Sequence, residues 1–315
     1  GNSMTQKKLI YILSISCICL LTLYLLPLNT GNKQISISTA LLNPQQIQNV
    51  NEIEIFSNGE MLSIYKSNTC WIGTDGNVIF PISDENVQSF LSVSSKIRYM
   101  NIVSKNKNTK NLSVFGLDES NYIRLTFKQK DNKILSKLFF GSSNYSGYNI
   151  FLTTDKSFIY ETENDLYSWL QTSPRQWSDM NIIPFSILGK IDSKDVQRIK
   201  ISFPNQSKFL TTNSLDFYNK VSKLLSLRAS KIIPLSQIQE ENFIGSIQLE
   251  IGNGSDVELK IYSMQKNPTE YDLYYIIPKI KTGTGLGDVN ASIKCQYALE
   301  ISNWTYENLL NTLLD

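Results

Sequence analysis

The sequence predicts an α+β protein of two similar units, each a mainly antiparallel sheet with two helices, following an N-terminal transmembrane helix. Three observations predict it. An uncharged run rich in Leu and Ile occupies 9–28. Stretches that alternate with period two cluster between helical stretches instead of alternating with them, which separates α+β from α/β layouts. The same succession of elements also starts twice, at Ile53-Glu54-Ile55-Phe56 and at Ile199-Lys200-Ile201-Ser202-Phe203. An apolar fraction of 41%, a charged fraction of 18%, and sixteen Tyr with fourteen Phe fit a folded, strand-rich chain.

The run at 9–28 matches the roughly 20 residues that cross a bilayer as a helix. Lys7 and Lys8 stand before it and no acidic residue does, so residues 1–8 are expected on the cytoplasmic side and the bulk outside it. Gly1-Asn2-Ser3 before Met4 reads as a tag scar. A cleaved signal peptide fits less well, because its apolar core spans only about 7–15 residues and a small-residue cleavage site follows. Ser14-Ile15-Ser16-Cys17 offers a degenerate lipid-attachment site, and a lipoprotein at Cys17 is the lesser alternative. Residues 29–46 are polar, carry Gly31 and Pro44, and read as a tether.

The first unit is assigned to 47–188 and the second, more diverged, to 189–315. Ser83 is expected to cap a helix with Asp84 and Glu85 in its first turn and Val87, Phe90 and Leu91 on its apolar face. Ser214 is expected to do the same for Phe217, Val221, Leu224 and Leu225. Strands follow at 122–128, 137–140, 150–153 and 158–161, answered by 246–251, 257–262, 273–277 and 294–299. Thr162-Glu163-Asn164-Asp165 reads as a capping box before a helix carrying Leu166, Trp169 and Leu170, stopped by Pro174. The last helix is expected at 303–314, with Tyr306, Leu309, Leu310, Leu313 and Leu314 on its apolar stripe. The boundary between units falls near 184–192.

Composition removes several function classes. Beyond the N-terminal lysines the chain holds 28 basic and 28 acidic residues, so no cationic surplus exists for phosphate, and nucleic acid is not expected as a partner. Histidine is absent, so no Ser-His-Asp triad, Cys-His pair or His-ligated metal site can form. Cys17 and Cys19 lie in the apolar run, leaving Cys70 and Cys295, which are expected as buried small hydrophobes; whether they pair is left open.

Other patterns have structural readings. Gly283-Thr284-Gly285-Leu286-Gly287-Asp288 lacks the third fingerprint glycine and the P-loop Lys, so a flexible hairpin loop is expected. Ser-x-x-Lys occurs at Ser63/Lys66, Ser104/Lys107 and Ser263/Lys266 without companion motifs. Glu250, Asp256 and Glu258 flank Gly252-Asn253-Gly254 at the wrong spacing for a calcium loop. Trp177, between Arg175 and Asp179 in a stretch without period, is the one aromatic singled out, as an inter-unit or partner surface.

Val114-Phe115-Gly116-Leu117-Asp118, the strand at Ile123 and the turn Leu138-Phe139-Phe140-Gly141 resemble the bacterial family called domain of unknown function 4340. Cys70-Trp71-Ile72-Gly73, the first strand and Phe158-Ile159-Tyr160 extend the likeness over about 50–185, with the rest as a diverged repeat. Phe115, Gly116, Leu117, Asp118, Trp71 and Gly141 are its structural residues. The second unit lacks the Phe-Gly-Leu-Asp turn and the Trp after the first hairpin. Members of that family typically carry one N-terminal span, and many are encoded beside ABC-transporter components related to gliding-motility accessory proteins. The resemblance thus implies a membrane-held, extracytoplasmic, transporter-associated subunit.

The expected function is a non-enzymatic accessory or scaffolding subunit of an ABC-type transport or envelope complex, with a permease or other envelope component as protein partner and no cofactor. One alternative is an extracytoplasmic glycan- or peptide-binding module or adhesin using exposed aromatics. Another is a glycan hydrolase, which needs only two carboxylates about 5–10 Å apart.

Overall fold

Alternation of buried and exposed residues along successive strands builds two sheets. The computed structural model describes residues 39–67, 70–105, 110–252, 254–264, 272–281 and 295–314. The expected anchor at 9–28 and the Gly283–Asp288 loop lie outside the described residues. Among the described residues no helix is long and apolar enough to cross a membrane.

The first sheet has ten strands: β1 (Thr39–Ala40), β2 (Glu52–Ser57), β3 (Glu60–Lys66), β4 (Trp71–Thr74), β5 (Ile79–Pro81), β6 (Arg98–Lys105), β7 (Ile123–Lys128), β8 (Ile134–Ser143), β9 (Asn149–Thr153) and β10 (Phe158–Glu163). Their spatial order is β1-β6-β10-β9-β8-β7-β2-β3-β4-β5. The second has seven: β11 (Val196–Phe203), β12 (Gln206–Thr211), β13 (Lys231–Pro234), β14 (Phe243–Ile251), β15 (Asp256–Met264), β16 (Leu273–Lys281) and β17 (Tyr297–Ile301), in the order β12-β11-β14-β15-β16-β17-β13. All pairings are antiparallel. Seven strands of the first sheet, β3-β2-β7-β8-β9-β10-β6, follow the same order as the whole of the second. The first sheet adds β4 and β5 beyond β3, and β1 beyond β6.

Local chemistry sets the hairpins. Asn58 and Gly59 both have positive φ, which fits the two-residue turn that joins β2 to β3 at the Ser57–Glu60 pair. On β2 and β7 the inward residues Ile53, Ile55, Leu125 and Phe127 are buried, while Glu52, Glu54 and Lys128 face the other way and form an ion-paired row. Helix α1 (Asp84–Lys96) covers the apolar face. Ser83 caps it, its hydroxyl accepting from Asn86 N, and Val87, Phe90 and Leu91 are buried. Phe90 stands 5.8 Å from Phe127 and edge-on to Trp177 at 5.0 Å.

The second sheet buries Ile199, Ile201, Ile247, Leu249, Val257, Leu259 and Ile261 against α2 (Phe217–Ser226) and α3 (Asn303–Leu314). Tyr306 of α3 stacks on Tyr274 of β16 at 3.7 Å. Ser214 does not cap α2. Its hydroxyl accepts from Thr211 N to close the preceding turn, and left-handed Asp216 precedes the helix instead.

Two further expectations give way to tertiary structure. Thr162 does not open a capping box. It ends in β10, where its hydroxyl donates to the Arg98 carbonyl at 3.1 Å, and a 3-10 helix without a side-chain cap follows at Asn164–Trp169. Pro174 begins a one-turn helix, Pro174–Trp177, where its missing N–H costs nothing. The tether also ends earlier than 46, since Thr39 and Ala40 pair with Tyr99 and Arg98, and Leu41 and Leu42 are fully buried.

Both sheets share one apolar core, from Leu41 to Leu313, and Ser38–Asp315 form a single compact unit. Each sheet carries a smaller apolar cluster as well. Leu112, Leu117, Phe139 and Ile159 make one; Ile233, Tyr262, Tyr275 and Ala298 make the other, covered by Leu235 and Ile238. Replacing Phe90 by Ala should lower stability by about 3–5 kcal/mol through the cavity left beside Trp177. Replacing Trp304, 72% exposed, by Ala should change it by under about 0.5 kcal/mol. Urea unfolding of the two variants measures both values.

Candidate functional site

The segment 177–183 runs between the sheets and is hydrogen-bonded on both sides. Toward the first sheet, Ser83 N donates to the Trp177 carbonyl at 3.1 Å and Asp179 N donates to the Pro81 carbonyl at 3.0 Å. Toward the second, Ala229 N donates to Met180 O at 2.8 Å and Ile182 N to Leu227 O at 3.1 Å. Gln296 N also reaches Ile79 O at 2.9 Å, so the edge of β5 meets the chain just before β17. An irregular segment so placed satisfies backbone groups of its own and of both neighbours, which is the condition for burying it.

Asp179 is 5% exposed at the centre of this seam. Its Oδ1 accepts from Asn181 N at 3.1 Å and Asn181 Nδ2 at 2.7 Å; its Oδ2 accepts from Ser186 N at 2.9 Å and Ser186 Oγ at 2.8 Å. Four donors compensate the loss of water around the carboxyl group and leave its oxygens little capacity for a ligand. Trp177 is fully buried. Its Nε1 donates to Gln171 O at 3.3 Å and its ring packs on Phe90 and on Trp169 at 5.5 Å. Of the three residues singled out in the sequence, Trp177 and Asp179 are buried at the seam between the two sheets and Arg175 is exposed.

A group of titratable side chains lies beside them: Tyr65, Cys70, Cys295 and Tyr297. Burial raises the Cys295 thiol to about 12, with Cys70 adding to it. Burial likewise pushes the Tyr297 phenol well above its ordinary range, reinforced by Cys295, Asp179 and Cys70. Tyr65 is raised first by burial, then by the two cysteines. Cys295 and Tyr297 thus stay protonated at neutral pH and supply no thiolate or phenolate nucleophile. Strand β5 separates the two cysteines, pairing with β4 just after Cys70 on one side and with Gln296 just after Cys295 on the other. The Tyr297 hydroxyl is buried and finds no hydrogen-bond partner among the described residues. Sequence reading passed over Tyr297, because a tyrosine in an apolar strand reads as ordinary core.

An open groove borders the seam. A larger arm of about 670 Å³ runs past Glu60, Ser63 and Thr172, a smaller arm of about 460 Å³ runs past β13, and both touch Asp75, Asn77 and Pro174. Glu60 accepts from the Thr172 hydroxyl at 2.9 Å, and Asp75 accepts from the amides of Asn77 and Val78 in its own turn.

The remaining sequence patterns resolve structurally. Ser63 and Lys66 are three apart on β3 and so point to opposite faces of the strand. Lys107 and Lys266 lie outside the described residues. Glu250 pairs with Arg198 at 2.5 Å across β11 and β14, and Asp256 and Glu258 stand in register with Lys281 and Lys279. Among the described residues no group of three or more metal-ligating side chains forms.

The Phe115-Gly116-Leu117-Asp118 turn is a clasp. Gly116 takes φ +67°, and a Cβ there would meet Ser142 N at 2.8 Å. A Cβ on Gly141 would meet the Phe115 carbonyl at 2.1 Å, so both glycines are needed for the turn to lie flat on β8. Ser142 N then donates to Phe115 O at 2.9 Å, and Leu117 fills the smaller cluster with Phe139. Asp118 closes the turn by accepting from Ser120 N and from the Asn121 side chain, whose amide holds the carboxyl below its ordinary range. Trp71 is buried at the start of β4.

The raised groups set an alkaline limit. A thiol or phenol whose pKa rises on folding contributes stability that is complete below its unfolded value, about 8.5 for Cys and 10 for Tyr. That stability is lost as pH climbs toward about 12. Tyr297→Phe should flatten the loss and, by removing a buried unsatisfied hydroxyl, raise neutral-pH stability by about 1 kcal/mol. Urea unfolding at pH 7 and pH 11 tests this; an equal alkaline loss in both proteins contradicts it.

Comparison with known proteins gives one match. The sequence model of the family described as domain of unknown function (DUF4340) matches residues 74–249, which takes in the clasp, β5 to β13 and most of β14. No curated protein and no solved structure matches the chain. Over more than half of its length, then, this chain belongs to the domain of unknown function 4340 family.

Proposed function

We propose that the protein is a membrane-anchored, non-enzymatic subunit whose folded body lies outside the cytoplasm and serves as an accessory or scaffolding part of an ABC-type transport or envelope complex. The observation that carries this reading is the use of reactive groups at the seam. The position where a two-sheet protein would place a catalytic cleft holds instead a carboxylate saturated by four donors and a thiol held protonated by burial. Such groups fix geometry; they do not turn over substrate.

Three further points support it. The family membership brings the expectation of a single N-terminal span and a transporter partner. The uncharged run at 9–28, with Lys7 and Lys8 before it, fits an anchor that leaves the body exported. The shared strand order of the two sheets supports an internal duplication, in which the second copy lost the Phe-Gly-Leu-Asp clasp and kept the layout. A duplicated, catalytically quiet body on a membrane tether suits the holding of other proteins.

The test is made on the full chain in its native membranes. Alkaline carbonate extraction should leave it in the membrane pellet, protease added from outside should degrade the body, and reversible crosslinking before detergent extraction should link it to a transporter permease or another envelope protein. Recovery of the intact chain from the cytosol would overturn the reading.

A further inference from the structure

We infer that the seam groove accepts an extended peptide strand, added to the outer edge of β13, with a Lys or Arg side chain directed at Glu60 and Asp75. All four consecutive residues of β13, Lys231 to Pro234, line the smaller arm of the groove. Side chains on a strand alternate between faces, so an unbroken run of lining residues means that the strand presents its backbone edge. Among the described residues no second strand pairs with that edge. An edge strand facing a walled groove is the geometry in which a partner strand binds through main-chain hydrogen bonds.

The protein itself shows what fits. The strand in the first sheet that corresponds to β13 by order is β6, and its outer edge is filled by β1, an extended segment whose Thr39 and Ala40 pair antiparallel with Tyr99 and Arg98. Among the described residues no strand pairs with the other edge of the second sheet, at β12, either, but β12 lines neither arm of the groove. At β13 the turn of Asp75, Asn77 and Val78 provides a facing wall, and the larger arm continues past it to Glu60. Neither Glu60 nor Asp75 has a cation paired to its carboxyl group among the described residues; their hydrogen bonds come from a hydroxyl and from backbone amides. A basic side chain on the bound strand would complement them.

This inference deepens the proposed role, because a scaffold needs a place to hold its partner. The probe is a fluorescent hexapeptide of alternating Thr and Val with one Lys, titrated by anisotropy against the purified full-length chain in detergent. Two control peptides carry Glu in place of Lys, or N-methyl groups on alternate amides, which remove main-chain hydrogen bonds and keep the side chains. The Lys peptide should bind saturably and slow deuterium uptake at the amides of 231–233. Both controls should bind at least tenfold more weakly, and Glu60→Lys, a change at an exposed position, should shift preference to the Glu peptide. No saturable binding, or equal binding of the N-methylated peptide, or an unchanged preference in Glu60→Lys overturns the inference. Because no membrane partner enters the titration, such a failure removes the groove and leaves the membrane-complex reading to its own test.

Discussion

The segment 177–183 at the seam is the constraint on which the rest of the architecture depends. Its backbone serves two neighbours at once, and it cannot shift without breaking hydrogen bonds to β5 on one side and to the turn before β13 on the other. Asp179 fixes its course by gathering Asn181 and Ser186 around one carboxylate. Trp177 fixes its depth, because the indole fills the space beneath α1 between Phe90 and Trp169. With those two residues in place the apolar faces of both sheets close over one continuous core.

That arrangement has a functional corollary. Buried charge and buried thiols are costly, and a protein retains them either for chemistry or for geometry. Here the hydrogen bonds around Asp179 and the protonated state of Cys295 favour geometry. The polar groups left with spare capacity lie in the open groove beside the seam, where Asp75 lines both arms, Glu60 the larger one and the edge of β13 the smaller one. The same joint that makes the body rigid thus exposes an edge on which another chain can build.

Much of the sheet architecture was legible in the sequence, because alternation is a local signal. Ile53 and Ile55, or Ile247, Leu249 and Ile251, declare an inward face within a few residues, and Val221, Leu224 and Leu225 do the same for a helix. Ser83 worked as a cap because no strand competed for its hydroxyl. Thr162 fails that test: its local context is a good capping box, but the ladder between β10 and β6 takes the hydroxyl for Arg98. Ser214 fails similarly, since the turn after β12 claims it. Short edge strands such as β13, four residues ending in Pro234, carry too little period to be read. Trp177 stands out in the sequence because its stretch has no period, but the rings that bury it, Phe90 and Trp169, lie far away in sequence or on the other side of an irregular turn. The groove is invisible to any linear reading, since Asp75 and Lys231 come to line one arm only after both sheets have formed.

The claim that one joint unites the two sheets is tested most directly by unfolding the full chain with Asp179 replaced by Ala, in a Trp304→Ala background, followed at once by the fluorescence of Trp71, Trp169 and Trp177, which reports the first sheet and its seam, and by amide exchange in β14 and β15, which reports the second. In the parent protein both probes should give one coincident transition. In the variant, with the donors on Asn181 and Ser186 left unpaired, stability should drop by about 3 kcal/mol and the two transitions should separate. A variant that unfolds in a single step at the parental midpoint would contradict the account.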